Sequence, residues 1–281
     1  MTRISFLNGQ FIDHDKAFIH IEDRGFQFAD AVYEVVLFVN KKLLDFHPHI
    51  KRLFRSLDEI KIKHNIKKDE IEKIALQLFE KNKMANGSVY MQITRGVANR
   101  MAWFPTETTP SVIMTVSPTK IVTPQDFAKG ASMMSHDDIR WQRCDIKTVG
   151  LLASTLINQK SKDMGFDDAL FVRNGVVTEA TYSNFFIVDV NGALITKSAD
   201  NFILQGITRN RIIDLAIKNG ITVYEKDFSL NEVLNAKEAF TSSSTLMIRP
   251  VTKIDGQKIG DGKTGEITIK LNNLYKEFIA L

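Results

Sequence analysis

Lys147 is the residue whose surroundings ask for a reason beyond its charge. It lies in RCDIKTVGLL, Arg143 to Leu152, inside a short apolar segment directly before a stretch with helical spacing. A dry site disfavours the ammonium form of a lysine, and a neighbouring cation lowers its pKa further from about 10.4. Such an amine is a nucleophile that condenses with an aldehyde to a Schiff base. On spacing alone, a surface lysine following a strand is much the commoner reading.

Other segments would complete a pyridoxal phosphate site around that amine. The phosphate needs a cation and a helix N-terminus. Arg52 lies in an amphipathic helical stretch, and Gln205-Gly206-Ile207-Thr208 opens another, with glycine for close approach and threonine as a capping hydroxyl. Thr241-Ser242-Ser243-Ser244-Thr245 adds hydroxyls and backbone donors. A pyridine nitrogen needs a carboxylate to keep it protonated, so that the ring withdraws electrons; Glu179, in VTEATYSNFF, stands at a strand end before a small polar turn. Singly these are a solvated arginine, an N-cap, a hydroxyl loop and an exposed glutamate. Together they point to one cofactor.

Competing chemistries lack their residues. Gly260-Asp261-Gly262-Lys263-Thr264-Gly265 has the spacing of a dinucleotide loop, but too little chain follows it for a second strand and a ribose-binding acid. It is read as a glycine turn into a terminal helix. Histidines 14, 20, 47, 49, 64 and 136 form no metal-binding or hydrolase pattern, and His47 and His49 are read as residues at the start of a helix. Cys144 is the only cysteine, which excludes an intramolecular disulfide and a cysteine metal set. No metal is expected.

These residues must be positioned by a mixed α/β (α+β) chain. Asn8-Gly9 between Ile4–Leu7 and Gln10–Ile12 predicts a hairpin. Val32 to Val39 reads as a buried strand paired with Leu43 to Phe46. Pro48 suits a first helical position ahead of Ile50, Leu53, Phe54 and Leu57. Asp69 with Glu72 predicts a capping box, and Val89, Met91 and Ile93 alternate like a strand, with Val112 to Val116 as another. Later, Asn174-Gly175, Asn191-Gly192 and Asp255-Gly256 mark turns. Leu151 to Lys162, Thr208 to Asn219 and Thr268 to Ile279 have helical periodicity. Hairpins mixed with helices argue against a purely parallel sheet.

The chain has 281 residues, 44% hydrophobic and 25% charged, enough for two domains. The texture changes between Ser117 and Asp126, which predicts domains at 1–118 and 127–281 joined by a linker at 119–126, with Lys147 in the later one. The net charge of +4 is scattered, so no nucleic-acid footprint stands out, and a non-catalytic nucleic-acid binder is the reading from another class. No signal-peptide core and no run long enough to cross a membrane is found; a soluble, cytoplasmic protein is expected.

Along essentially its whole length the chain resembles the fold-type IV, or class IV, pyridoxal phosphate aminotransferases, most closely those acting on D-amino acids. DRGFQFADAVYEVV, HIKRL, RWQRCDIKTVGLL, VTEATYSNFF, LQGITRNRI and TSSSTLMIRPV resemble the family's segments in order. The resemblance implies a small α/β domain followed by a larger α/β pseudo-barrel, in a homodimer with shared active sites. It implies that Lys147 carries the Schiff base and shuttles the proton, and that Glu179 pairs with the ring nitrogen. Arg52, Gly206, Ile207, Thr208, Ser243 and Ser244 would hold the phosphate, Leu204 would pack on the ring, and Arg140 would stand behind the site. Tyr33 and the partner's copy of Arg100 would take the substrate carboxylate, while Ala102 replaces a family histidine there. The implied reaction is transamination between a D-amino acid and a 2-oxo acid. A branched-chain L-amino acid aminotransferase, an aminodeoxychorismate lyase and an amine transaminase share the pattern.

Overall fold

The computed structural model describes residues 3–119 and 122–279. The chain divides into one unit of Met1–Lys120 with Ile146–Gly150, and another of Ile121–Asp145 with Leu151–Leu281. Lys147 therefore belongs with the first unit, whereas the 1–118 and 127–281 division expected from composition placed it with the later one.

Asn8 and Gly9 take φ of 46° and 91°, the positive angles of a tight hairpin turn, so β1 (Ile4–Leu7) folds back on β2 (Gln10–Asp13). After the short α1 (Arg24–Phe28) come β3 (Ala31–Val39), β4 (Lys42–Leu43), α2 (Phe46–Glu59), α3 (Lys68–Lys81), β5 (Gly87–Thr94) and β6 (Val112–Ser117). The strands form one antiparallel sheet in the order β2-β1-β6-β5-β3-β4. Val89, Met91 and Ile93 turn inward at every second residue and meet Ile50, Leu53 and Leu57 from α2 and Ile71, Ala75 and Leu78 from α3.

Local details depart from the sequence pattern. β4 stops at Leu43 rather than running to Phe46, because Phe46 already opens α2 with its ring in the core. Pro48 is thus the third helical residue, still within the first turn, where no amide is needed. The expected Asp69–Glu72 box is not formed. α3 begins at Lys68, and Glu70 is the acid that reaches back, its Oε2 accepting from the Lys67 amide at 3.4 Å.

In the second unit, α4 (Pro124–Lys129) begins inside the expected linker and runs past its end: Thr123 caps it by accepting from the Asp126 amide at 3.1 Å, and Pro124 suits its first position. Residues 120 and 121 of that linker lie outside the described residues. There follow β7 (Ala131–Asp137), α5 (Leu152–Asp163), β8 (Asp168–Arg173), β9 (Val176–Ala180), β10 (Asn184–Val188) and β11 (Leu194–Thr196). Then come α6 (Ile207–Lys218), β12 (Val223–Glu225), α7 (Leu230–Leu234), β13 (Glu238–Ser243), β14 (Met247–Ile254), β15 (Gln257–Lys258) and α8 (Glu266–Phe278). Their mixed sheet runs β12-β11-β10-β13-β14-β7-β8-β9, with β15 on β14. β9 stands at one edge and β10 third from the other, yet only Thr181–Ser183 joins them, so the sheet must curl on itself. The fold is mixed α/β, as expected. The glycine turn ends at Gly265, before α8, where Glu238 accepts from the Ile267 and Thr268 amides at 3.0 and 2.7 Å.

Candidate active site

In the first unit, Lys147 is held by its backbone. Its carbonyl accepts from the Tyr33 amide at 3.0 Å, its amide donates to Ser56 Oγ at 3.4 Å, and Thr148 bridges to Val32. The ammonium lies 4.3 Å from the centre of the Tyr33 ring, a cation–π distance. The side chain is half-buried, wetter than the dry setting read from the sequence. Tyr33 stacks on Tyr90 at 5.6 Å between centroids.

Arg52 is buried on α2 and grips a residue that sequence reasoning missed. Its Nε and Nη2 donate to the two carboxylate oxygens of Glu34 at 2.7 and 2.8 Å, and His49 Nδ1 meets Glu34 Oε2 at 2.7 Å. Burial pushes the Glu34 carboxyl up, but the Arg52 charge and the bonds from Arg52 and His49 outweigh it and hold it at about 2. Burial lowers His49 despite Glu34, with Arg52 and Lys147 adding to the fall; the ring is neutral and donates from Nδ1. The available signal was Glu34 itself, a lone carboxylate inside the apolar run VYEVVLFV. Arg100 stands apart from this cluster on an exposed loop, its guanidinium 4.9 Å from the Phe28 ring centre.

In the second unit the structure gathers Glu179, Arg140 and Leu204. Glu179 is buried at the end of β9; Arg140 Nη1 donates to its Oε1 at 2.5 Å, Asn184 Nδ2 to its Oε2 at 3.0 Å, and the Leu204 amide lies 3.3 Å from both oxygens. Asp138, also missed, takes Arg140 Nε and Nη2 at 2.9 and 2.8 Å. Burial raises the Glu179 carboxyl; Arg140 and the Leu204 amide pull it down, the Asp138 charge pushes it up, and the net shift is upward.

Gly206, not Thr208, is the capping residue of α6. A Cβ on Gly206 would meet Asn184 Oδ1 at 2.0 Å, so Asn184, itself bonded to the Leu204 carbonyl at 2.8 Å, needs a glycine there. The amides of Ile207 and Thr208 fall in the first turn, where no carbonyl four residues back exists for them within the helix. Ser243 ends β13 and its Oγ accepts from the Leu246 amide at 3.3 Å; Ser244 follows in the turn. Beside them the buried Ser242 Oγ has no hydrogen-bond partner among the described residues. A cleft of about 570 Å³ in the first unit, lined by Phe6, His64 and Ile71 among others, includes none of these residues.

A family model described as amino-transferase class IV matches residues 31–254. The chain belongs to the class IV aminotransferases. It is 39% identical over 275 residues to a D-alanine aminotransferase of Listeria monocytogenes, covering 97% of this chain and 95% of that protein. It is 38% identical to a D-alanine aminotransferase of Bacillus licheniformis, covering 93% and 92%. Among solved structures, the branched-chain amino acid aminotransferase of Escherichia coli matches with a TM-score of 0.91 at 23% identity, over 100% of this chain and 95% of that one. A branched-chain amino acid aminotransferase from T.th., solved with pyridoxamine 5′-phosphate, matches with a TM-score of 0.91 at 20% identity, over 99% and 94%.

The residues present fit the family's cofactor, pyridoxal phosphate. The first unit offers an amine and a buried guanidinium. The second offers a buried carboxyl of raised proton affinity, a helix N-terminus opened by an obligatory glycine, and, on β13 just before a hydroxyl-rich turn, the buried Ser242 hydroxyl with no hydrogen-bond partner among the described residues.

Proposed function

We propose that this chain transfers an amino group between a D-amino acid and a 2-oxo acid, with pyridoxal phosphate as cofactor. The observation that carries the substrate class is near-full-length identity of 39% to a D-alanine aminotransferase, against 23% and 20% to the two branched-chain enzymes that share the fold. When bound, the cofactor supplies an aldehyde carbon that bonds the amine and a ring that withdraws electrons from the substrate's α-carbon.

In this reading Lys147 Nζ would hold the cofactor at rest, then take the proton from the substrate's α-carbon and deliver it to the carbon that had carried the aldehyde. Tyr33, against which the amine rests at 4.3 Å, orients it. Glu179 would pair with the ring nitrogen, where a carboxyl raised by burial would share a proton readily. Arg52, Gly206, Ile207, Thr208, Ser243 and Ser244 would hold the phosphate, and Leu204, whose amide is fixed on Glu179, would pack on the ring. Arg140 sets the charge on Glu179. Tyr33 and the partner subunit's Arg100 receive the substrate carboxylate in a homodimer. With Ala102 where the resemblance leads to a histidine, the arginine alone supplies the paired donors. No helix among the described residues is long and apolar enough to cross a membrane, in keeping with a cytoplasmic enzyme.

The test is a panel of D- and L-amino donors with pyruvate or 2-oxoglutarate, run on wild type and Lys147→Ala. D-Alanine and D-glutamate should be turned over by wild type, with ping-pong kinetics, and at least about a hundredfold more slowly by the variant. Turnover of L-leucine but not of D-glutamate would reverse the assignment to the branched-chain class.

A further inference from the structure

We propose that Glu34 is a positioning residue: from β3 it fixes the guanidinium plane of Arg52 on α2, and so sets how the chain grips a phosphate ester. The proposal rests on Arg52 being the phosphate ligand.

Glu34 is fully buried in a strand of apolar neighbours, where a carboxylate carries a desolvation cost. If it only stapled strand to helix, an apolar pair of similar volume would serve as well. Its geometry does something an apolar pair does not. Two parallel bonds, at 2.7 Å to Nε and 2.8 Å to Nη2, remove rotation of the guanidinium about its stem. The third bond, from His49 Nδ1 at 2.7 Å, fixes the carboxylate in turn. His49 and Arg52 are three residues apart on α2, so both reach Glu34 from one face. Because the ring is buried and neutral, it orients Glu34 without competing with Arg52 as a second cation.

Lys147 hangs on the same strand and helix, through backbone bonds that do not involve the Glu34 side chain. Its carbonyl hangs on the amide of Tyr33, the residue next to Glu34, and its amide on Ser56, one turn beyond Arg52. The strand and helix that Glu34 joins are thus the two elements that hold the backbone of the reactive amine. Glu34 reaches the chemistry only through these neighbours.

The experiment compares binding of pyridoxal phosphate with binding of pyridoxal, by equilibrium titration, in wild type, Glu34→Gln, Arg52→Met and the double variant. A positioning role affects the phosphate alone. Glu34→Gln should lower the preference for the phosphorylated form by roughly tenfold to a hundredfold while leaving pyridoxal affinity within about twofold. In the Arg52→Met background the same change should shift the preference by less than about twofold, because the residue it acts through is gone. Glu34→Asp, which keeps the charge but shortens the reach, should fold and give an intermediate loss. Equal weakening of both ligands, or an undiminished effect in the Arg52→Met background, would overturn the proposal. If Arg52→Met leaves the phosphate preference of wild type intact, the assignment of Arg52 fails and the role of Glu34 falls with it. If wild type binds neither ligand, the cofactor reading itself is wrong.

Discussion

Glu34 in the first unit and Glu179 in the second are both buried carboxylates facing an arginine, yet their proton affinities move in opposite directions. Burial raises both. Glu34 has Arg52 on both oxygens and a neutral histidine as an added donor, so it stays ionised down to about pH 2. Glu179 shares its arginine: Arg140 directs two nitrogens to Asp138 and one to Glu179, and the Asp138 charge then opposes ionisation of its neighbour. What an arginine does to a buried acid depends on how many anions it serves. One arrangement holds its acid ionised, the other makes its acid harder to ionise.

The comparison breaks most visibly if each arginine is removed. Arg52→Met leaves Glu34 buried with a single neutral donor and should cost about 3–5 kcal/mol in urea unfolding. Arg140→Met should cost less, because Asp138 keeps Arg173 at 3.2 Å and Thr178 at 2.9 Å while Glu179 keeps Asn184 and the Leu204 amide. Equal losses would end the distinction.

Acid sharpens it next. A carboxyl brought from its ordinary 4.5 to about 2 contributes about 3 kcal/mol, present in full above pH 4.5 and lost as pH falls toward 2. Unfolding curves of Glu34→Gln should therefore flatten over that window relative to wild type. Glu179 has the opposite sign: its folded form binds a proton more readily than the unfolded chain, so its ionisation works against the fold above the ordinary range. The stability of wild type relative to Glu179→Gln should rise as pH falls. The smallest effect is expected from Asp138→Asn, which removes the competing anion and should lower the Glu179 titration, read from the carboxyl carbon by NMR.

Strand periodicity and turn chemistry were legible: Val89, Met91 and Ile93 alternate because one face is buried, and Asn8-Gly9 tolerates the positive φ that a tight hairpin turn demands. The helix starts were less so. Asp69–Glu72 and Lys67–Glu70 have the same spacing, and which one caps was decided by where the helix must begin to bury Ile71. The resemblance placed Arg140, Glu179 and Leu204 as separate motifs, and the structure brings them together. Glu34, His49, Asp138 and Asn184 stayed hidden because their roles are set by partners on other elements, such as Arg52 for Glu34, Thr178 for Asp138 and Leu204 for Asn184. A lone polar letter in an apolar run says that a partner exists, not which residue it is.

The assignment of Ile146–Gly150 to the first unit has a consequence for synthesis. A nascent chain that has reached residue 119 already carries every strand of the six-stranded sheet, but still lacks Ile146 for its core and Thr148 to meet Val32. Those parts leave the ribosome only after the whole of 121–145. An amino-terminal fragment cut at the composition boundary would be a sheet missing its last filling residue and its lysine, open to proteases until the rest of the chain returns.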